Sequence, residues 1–319
     1  MNRRIFLGTM LTAPGIARAQ AAPWAPNRPV RLVVPFPPGG ATDVVARLVA
    51  QRMGAALGQP VVVENRAGAG GTVGSDVVAK SPPDGHALLV SNIASQGVGP
   101  SVYRAIPYDA MRDFTHIALL AAIPNVLIVN ADRPVRNIAD FVAWAKRDPG
   151  GVRVASPGNG SSSHVTQELF KRLAGIELTH VPYRGSGPAF NDVVANQIEA
   201  MVTTLQEAGR NDRVRILAVM SDHRIAGWPD VPTIVEQGFP DLVASTWFGL
   251  SGPAGLPAPI ADRLHAEALA ALAAPDVAQR RAEIGAESPP LSRADYTAFV
   301  AREIARWGEV VRLSGARVD

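Results

Sequence analysis

Val30-Arg31-Leu32-Val33-Val34-Pro35-Phe36-Pro37-Pro38-Gly39-Gly40-Ala41-Thr42-Asp43 passes from an apolar run, through a proline and glycine turn, into a helical pattern. Residues 30–35 read as a buried strand, since the aliphatic side chains follow one another without a polar partner at every second position. Residues 37–40 supply the chemistry of a tight turn. Over 42–57 the apolar positions Val44, Val45, Leu48, Val49 and Met53 fall on one helical stripe, and Gly58-Gln59-Pro60 ends it. Strand, turn and helix make a βα unit. The same alternation recurs along the chain, so the expected fold class is α/β, built around largely parallel sheets.

Working outward, 61–64 reads as a second strand, 72–79 as a helix, and 87–91 as a third strand after the Pro82-Pro83-Asp84-Gly85 turn. Residues 117–122 and 126–130 read as two strands broken by Ile123-Pro124-Asn125, the first crossing between two lobes. Beyond it the rhythm restarts, with helices over 138–146, 163–174 and 188–196 and strands over 152–156, 178–181, 198–203 and 216–220. A return crossing over 245–250 precedes helical patterns near 259–273, 277–284 and 293–313. About 300 residues exceed what one core usually supports. The expected organisation is therefore a first lobe of residues 20–123 with 246–319 and a second lobe of residues 124–245.

The first 19 residues read as an export signal. Asn2-Arg3-Arg4 is basic, 5–16 is mostly apolar, and Ala17-Arg18-Ala19 offers a cleavage site before Gln20. Arg3-Arg4-Ile5-Phe6-Leu7 suits a twin-arginine route as well as the general secretory one. No later stretch approaches the roughly 20 apolar residues of a bilayer span, so no direct membrane insertion is expected. The chain holds Lys+Arg 31 against Asp+Glu 28, but Arg3, Arg4 and Arg18 lie in the signal, which leaves 28 basic residues against 28 acidic ones. That balance provides no electrostatic footprint for nucleic acid. With Cys 0 there is no disulfide framework, thiolate metal site or cysteine nucleophile.

Three turns rich in Gly, Ser and Thr open helices: 36–43, 158–164 and 183–188. A helix N-terminus carries unsatisfied N–H groups and a partial positive charge, so several of them at one cleft can hold a carboxylate without a lysine. The candidate ligand-binding residues are Phe36, Pro38, Gly39, Gly40, Thr42 and Asp43 in the first turn, Asn159, Ser161, Ser162, Ser163 and His164 in the second, and Tyr183 and Gly185 in the third. Asp43 has two open readings: a helix-dipole partner, or a contact to a ligand ammonium or hydroxyl. Arg184 is the rival to the helix ends, because it could clamp a carboxylate through both oxygens.

Other chemistries fit poorly. Gly68-Ala69-Gly70-Gly71-Thr72-Val73-Gly74 invites a dinucleotide reading, but the third fingerprint glycine falls on Val73 and the unit is the second strand, not the first. No cofactor is expected. The six histidines are far apart with no paired spacing on a helix, so no metal is expected either. Ser161-Ser162-Ser163-His164 sets hydroxyls beside an imidazole, yet there is no Gly-x-Ser-x-Gly elbow and no acid to orient the base. An esterase-like hydrolase is the competing class.

The opening stretch resembles the start of the Bug family, the solute-binding receptors of tripartite tricarboxylate transporters. The likeness continues through Gly58-Gln59-Pro60-Val61-Val62-Val63-Glu64-Asn65-Arg66, Pro83-Asp84-Gly85, Pro107-Tyr108-Asp109, Gly158-Asn159-Gly160-Ser161, Val181-Pro182-Tyr183, Pro229-Asp230-Val231-Pro232-Thr233 and Trp247-Phe248-Gly249. What the resemblance implies is a monomeric periplasmic receptor of the periplasmic-binding-protein type, with two α/β lobes joined by two crossing strands and closing like a flytrap. It implies a small organic anion, a carboxylate, as ligand, and the membrane components of the transporter as partners. The chain departs from the family at Thr203-Thr204 and Gly99-Pro100-Ser101. Both lie where it should pass the cleft, and Thr203 joins the candidate site on that ground.

Overall fold

The opening run forms β1 (Val30–Val34), and three of its five side chains in a row, Leu32 to Val34, are fully buried, as in a strand covered on both faces. The computed structural model describes residues 24–287 and 289–316; the export-signal reading of residues 1–19 lies outside them. Helix α1 (Ala41–Leu57) follows, then β2 (Val61–Asn65), α2 (Thr72–Ala79) and β3 (Ala87–Asn92). Both β2 and β3 lie parallel to β1. A π-helical turn, Ile93–Val98, and the short α3 (Gly99–Val102) come next.

The second half repeats the scheme: β4 (Phe114–Asn130), α4 (Ile138–Arg147), β5 (Arg153–Ser156), α5 (Ser162–Ala174), β6 (Thr179–Pro182), α6 (Ser186–Val194), β7 (Ala200–Thr204), α7 (Leu205–Ala208) and β8 (Val214–Val219). Strand β9 (Ser245–Pro253) returns, and α8 (Ala258–Ala273), α9 (Pro275–Glu283) and α10 (Arg293–Ser314) follow. Strand order is β2-β1-β3-β9-β4-β7-β5-β6, with β8 on the edge of β4 opposite β7. The outer pairs β1·β2, β1·β3, β5·β6 and β5·β7 are parallel, as expected. The centre is antiparallel, because β4 and β9 cross the molecule in opposite directions.

One sequence expectation needs correction. The two strands thought to be broken at Ile123-Pro124-Asn125 are the single 17-residue β4. Proline has no N–H to give a ladder, but Pro124 falls where β4 changes neighbours, from β9 (Pro124↔Ser245) to β7 and β8, so the missing donor breaks no run. Asn125 takes over at once. Its N–H donates to Ala244 O (3.0 Å), its carbonyl accepts from Met220 N (2.8 Å), its Nδ2 donates to Thr166 Oγ1 (3.0 Å), and its Oδ1 accepts from Thr246 Oγ1 (2.9 Å).

Two apolar layers flank the strands. One joins Val45, Val49 and Met53 of α1 to Leu264 and Ala268 of α8 and runs on to Met201 and Leu205. The other gathers Phe141, Phe170, Trp247, Tyr296 and Trp307. Helix α10 packs on the π-helical turn, on α3 and on α5. Its Glu303 Oε2 accepts from the indoles of Trp247 (2.9 Å) and Trp307 (2.8 Å), tying the return strand β9 to the C-terminal helix.

Candidate functional site

Helices α1, α5 and α6 begin at a common cavity of about 480 Å³. Gly39 to Thr42 line it from α1, Ser161 to Ser163 from α5, and Gly185 to Pro188 from α6. Gly40 and Gly185 are N-caps with no side chain to occupy the first amides of their helices. The freed N–H groups are the orphan donors of a helix end, and they face the cavity with the positive end of the dipole. Gly185 takes φ 109°, a left-handed conformation that favours glycine. Gly185 N also donates to Pro157 O (3.0 Å), which holds the third turn against the second.

The first turn is held by a carboxylate. Asp43 Oδ2 accepts from Gly39 N (3.0 Å) and Arg47 Nε (2.9 Å), and Oδ1 accepts from Arg47 Nη2 and Asn65 Nδ2 (both 3.0 Å). Asn65 Nδ2 also reaches Phe36 O (3.0 Å). Burial pushes the Asp43 carboxyl up, but Arg47, the Gly39 amide and Asn65 together hold it below the usual carboxylate range. Asp43 does not line the cavity. Its oxygens are spent on the turn's own shape, so of its two sequence readings the structural one describes the geometry.

The second turn is held without charge. Ser161 Oγ caps α5 by accepting from His164 N (3.2 Å) and donates to Gly158 O (2.7 Å). His164 Nδ1 accepts from Gly160 N (3.2 Å), and its ring stacks on His180 with centroids 4.0 Å apart. His180 Nε2 lies 2.6 Å from Ser156 Oγ. Burial pushes both imidazoles down, His180 to about 3, so each is neutral near pH 7. His164 therefore lies beneath the turn and not on the cavity wall, and Asn159 points to solvent.

Of the other sequence candidates, Phe36, Pro38, Gly39, Gly40, Thr42, Ser161, Ser162, Ser163 and Gly185 line the cavity, whereas Tyr183 and Thr203 do not. Tyr183 donates to Asp192 Oδ2 (2.6 Å); burial and that carboxylate push its hydroxyl up to about 12. Thr203 donates to Glu207 Oε2 (2.6 Å), and its neighbour Thr204 lines the cavity instead. Successive strand residues face opposite ways, so one position decides the face. Thr204 and Glu207 form a capping box for α7 that the spacing Thr204-Leu205-Gln206-Glu207 advertised and the sequence reading passed over. Also missed were Ile93, Phe190, Thr246 and Phe248. Ser162 Oγ bonds to Thr246 Oγ1, which links the second turn through Asn125 to both crossing strands.

Ser161 and His164 meet only through backbone and capping bonds, and the hydrogen-bonded Ser156 and His180 lie off the cavity lining, so among the described residues no serine–imidazole pair faces the cavity. A family profile described as the tripartite tricarboxylate transporter family receptor matches residues 45–315. The chain belongs to that family. BugT of Bordetella pertussis is 40% identical over 318 residues, 98% of this chain and 97% of that protein. Among solved structures, a Rhodopseudomonas palustris protein with adipate has TM-score 0.87 and 35% identity, covering 91% of this chain and 98% of the other. MatC from the same organism, with bound malate, has TM-score 0.84 and 35% identity over 90% and 99% of the two chains. Members of this family are transporter receptors, so this chain is a solute-binding receptor and the hydrolase alternative is set aside. Among the described residues no helix is long and apolar enough to cross a membrane.

Proposed function

We propose that this receptor captures a small organic carboxylate in the periplasm and delivers it, as a monomer, to the membrane components of a tripartite tricarboxylate-type transporter. The observation that carries the proposal is the convergence of three helix N-termini on one cavity, two of them capped by glycine. The malate and adipate in two solved relatives support the ligand class. Phe36, Pro38, Gly39, Gly40, Thr42, Ser161, Ser162, Ser163 and Gly185 would meet the ligand, while Asp43, His164 and Tyr183 shape the turns that present it. The two lobes would be residues 20–123 with 246–319 and residues 124–245, closing about the crossings near Pro124 and Ser245. The hand-over of β4 between neighbours at Pro124 supports that boundary.

A thermal-shift screen of the purified exported protein against mono-, di- and tricarboxylates tests the reading. Ligand at 100 times its dissociation constant stabilises by about 2.7 kcal/mol, a readable shift. Stabilisation by neutral amides or sugars and by no carboxylate would overturn it. Export predicts that mass spectrometry of the mature protein finds Gln20 first.

A further inference from the structure

We infer that the ligand selected here is a monocarboxylate with an apolar, ring-sized body, in preference to a di- or tricarboxylate. The inference rests on the carboxylate-receptor reading above and names which carboxylates that site takes. Beside the helix ends, the cavity wall carries the apolar Phe36, Ile93, Phe190 and Phe248 together with the uncharged polar Asn92, Asn191, Thr204, Gln206 and Thr246. Among the described residues no lysine or histidine lines it, and the charged side chains that do are Arg184 and Glu207. Those two have opposite sign. Glu207 Oε2 accepts the hydroxyl proton of Thr203 and would repel a second carboxylate brought near it.

Arg184 is exposed, with no hydrogen bond or ion pair among the described residues. It directly precedes Gly185, the N-cap of α6, and that turn is bonded to the second one through Gly185 N and Pro157 O (3.0 Å). Its charge therefore adds to anion binding where the helix ends already favour it, and it founds no second anion site across the aromatic wall. A second ionised carboxylate laid on those rings would exchange its hydration for neutral amides and hydroxyls at best, with no cation beside it. A hydrocarbon ring there would leave water and gain contact with aromatic faces and edges.

The sequence also invests in the aromatic wall from behind. Gly71 has φ 93°, and a Cβ there would sit 3.0 Å from Phe36 Cε2 and 3.3 Å from Ser95 Cβ. The glycine-rich turn that superficially suggested a dinucleotide site instead gives the Phe36 ring room to lie back from the cavity.

Isothermal titration of the purified exported protein with benzoate, cyclohexanecarboxylate, malate, adipate and citrate tests the inference. The expected result is that benzoate or cyclohexanecarboxylate binds at least about tenfold tighter than any of the three polyanions. Phe190→Ala, checked by thermal melting to be folded, should weaken the ring acids about tenfold and change adipate by less than about twofold. Malate, adipate or citrate binding as tightly as the ring acids would overturn the inference and leave the carboxylate reading standing. If none of the five binds, both fall.

Discussion

The turn at residues 36–43 and the turn at residues 158–164 both open a helix at the cavity, the first uncapped by any side chain and the second capped by Ser161, and they are held by opposite chemistries. The first is organised by a buried carboxylate, Asp43, with an arginine, an amide and a backbone N–H around it. The second is organised by hydroxyls and two neutral stacked imidazoles. A helix end suited to an anionic ligand can thus be preformed with or without a nearby negative charge. Asp43 is compatible with anion binding because Arg47 neutralises it, with Asp43 buried and the Arg47 side chain 56% exposed.

The largest effect should come from filling the first turn. Gly40 has φ −77°, which any residue can adopt, and a Cβ there meets only Pro37 O at 3.9 Å. Gly40→Val should therefore fold normally yet weaken carboxylate binding about a hundredfold or more, near 3 kcal/mol, in calorimetry. The glycine of the second turn, one residue before the Ser161 N-cap, differs, since Gly160 has φ 71° and its Cβ would sit 3.0 Å from Val102 Cγ1. Gly160→Ala should lower the melting temperature as well as the affinity. Normal binding by Gly40→Val together with its loss in Arg184→Ala would replace the helix-end mechanism by an arginine clamp.

Removing the charged staple comes next. Asp43→Ala leaves the Gly39 amide, Asn65 and Arg47 without their acceptor and should cost about 2 to 3 kcal/mol of unfolding free energy. Because the native carboxyl titrates below its unfolded value, this stabilisation is present above about pH 4 and lost as pH falls further. Denaturant melts of wild type and Asp43→Ala should converge in that acid range. A constant gap down to pH 2 would mean that the carboxylate does not organise the turn.

The second turn should fail in a different window. His180 binds its proton at about 3 when folded but near 6.5 when unfolded, so the unfolded chain holds more protons between those values. Stability is complete above about pH 6.5 and declines as pH falls, by about 2 kcal/mol at pH 5 for this group. Buried His116, pushed down to about 4, adds a similar limb from outside the site. His180→Gln should flatten part of the decline between pH 7 and 5 while the Asp43 limb below pH 4 persists. An unchanged profile would contradict the neutral-imidazole account. The smallest effect is Ser161→Ala, which removes one cap and should cost about 1 kcal/mol in melting experiments. A cost equal to that of Asp43→Ala would erase the contrast between the turns.

Hydrophobic periodicity and turn residues are local signals, and they sufficed for the βα rhythm, for the helix over Ala41–Leu57 and for the idea that three glycine and serine turns open helices toward a ligand. The order of many short motifs also carried the family. What local signals cannot encode is which strand lies beside which, or which way a side chain faces once neighbours are chosen. Pro124 looked like a break because its missing donor is visible in sequence, whereas the change of partner strand that makes the loss harmless is not. Thr203 and Thr204 are indistinguishable by type and both bond to Glu207, and only the pleat put Thr204 on the cavity wall and left Thr203 off it. Phe190 and Phe248 became cavity wall, and Asp43 and His164 became supports behind the turns, because packing brings together residues far apart in the chain. Sequence by itself determined most of the elements and the class of chemistry. Tertiary structure decided which residues face the ligand, since facing depends on strand register and long-range packing, which no short stretch of chain contains.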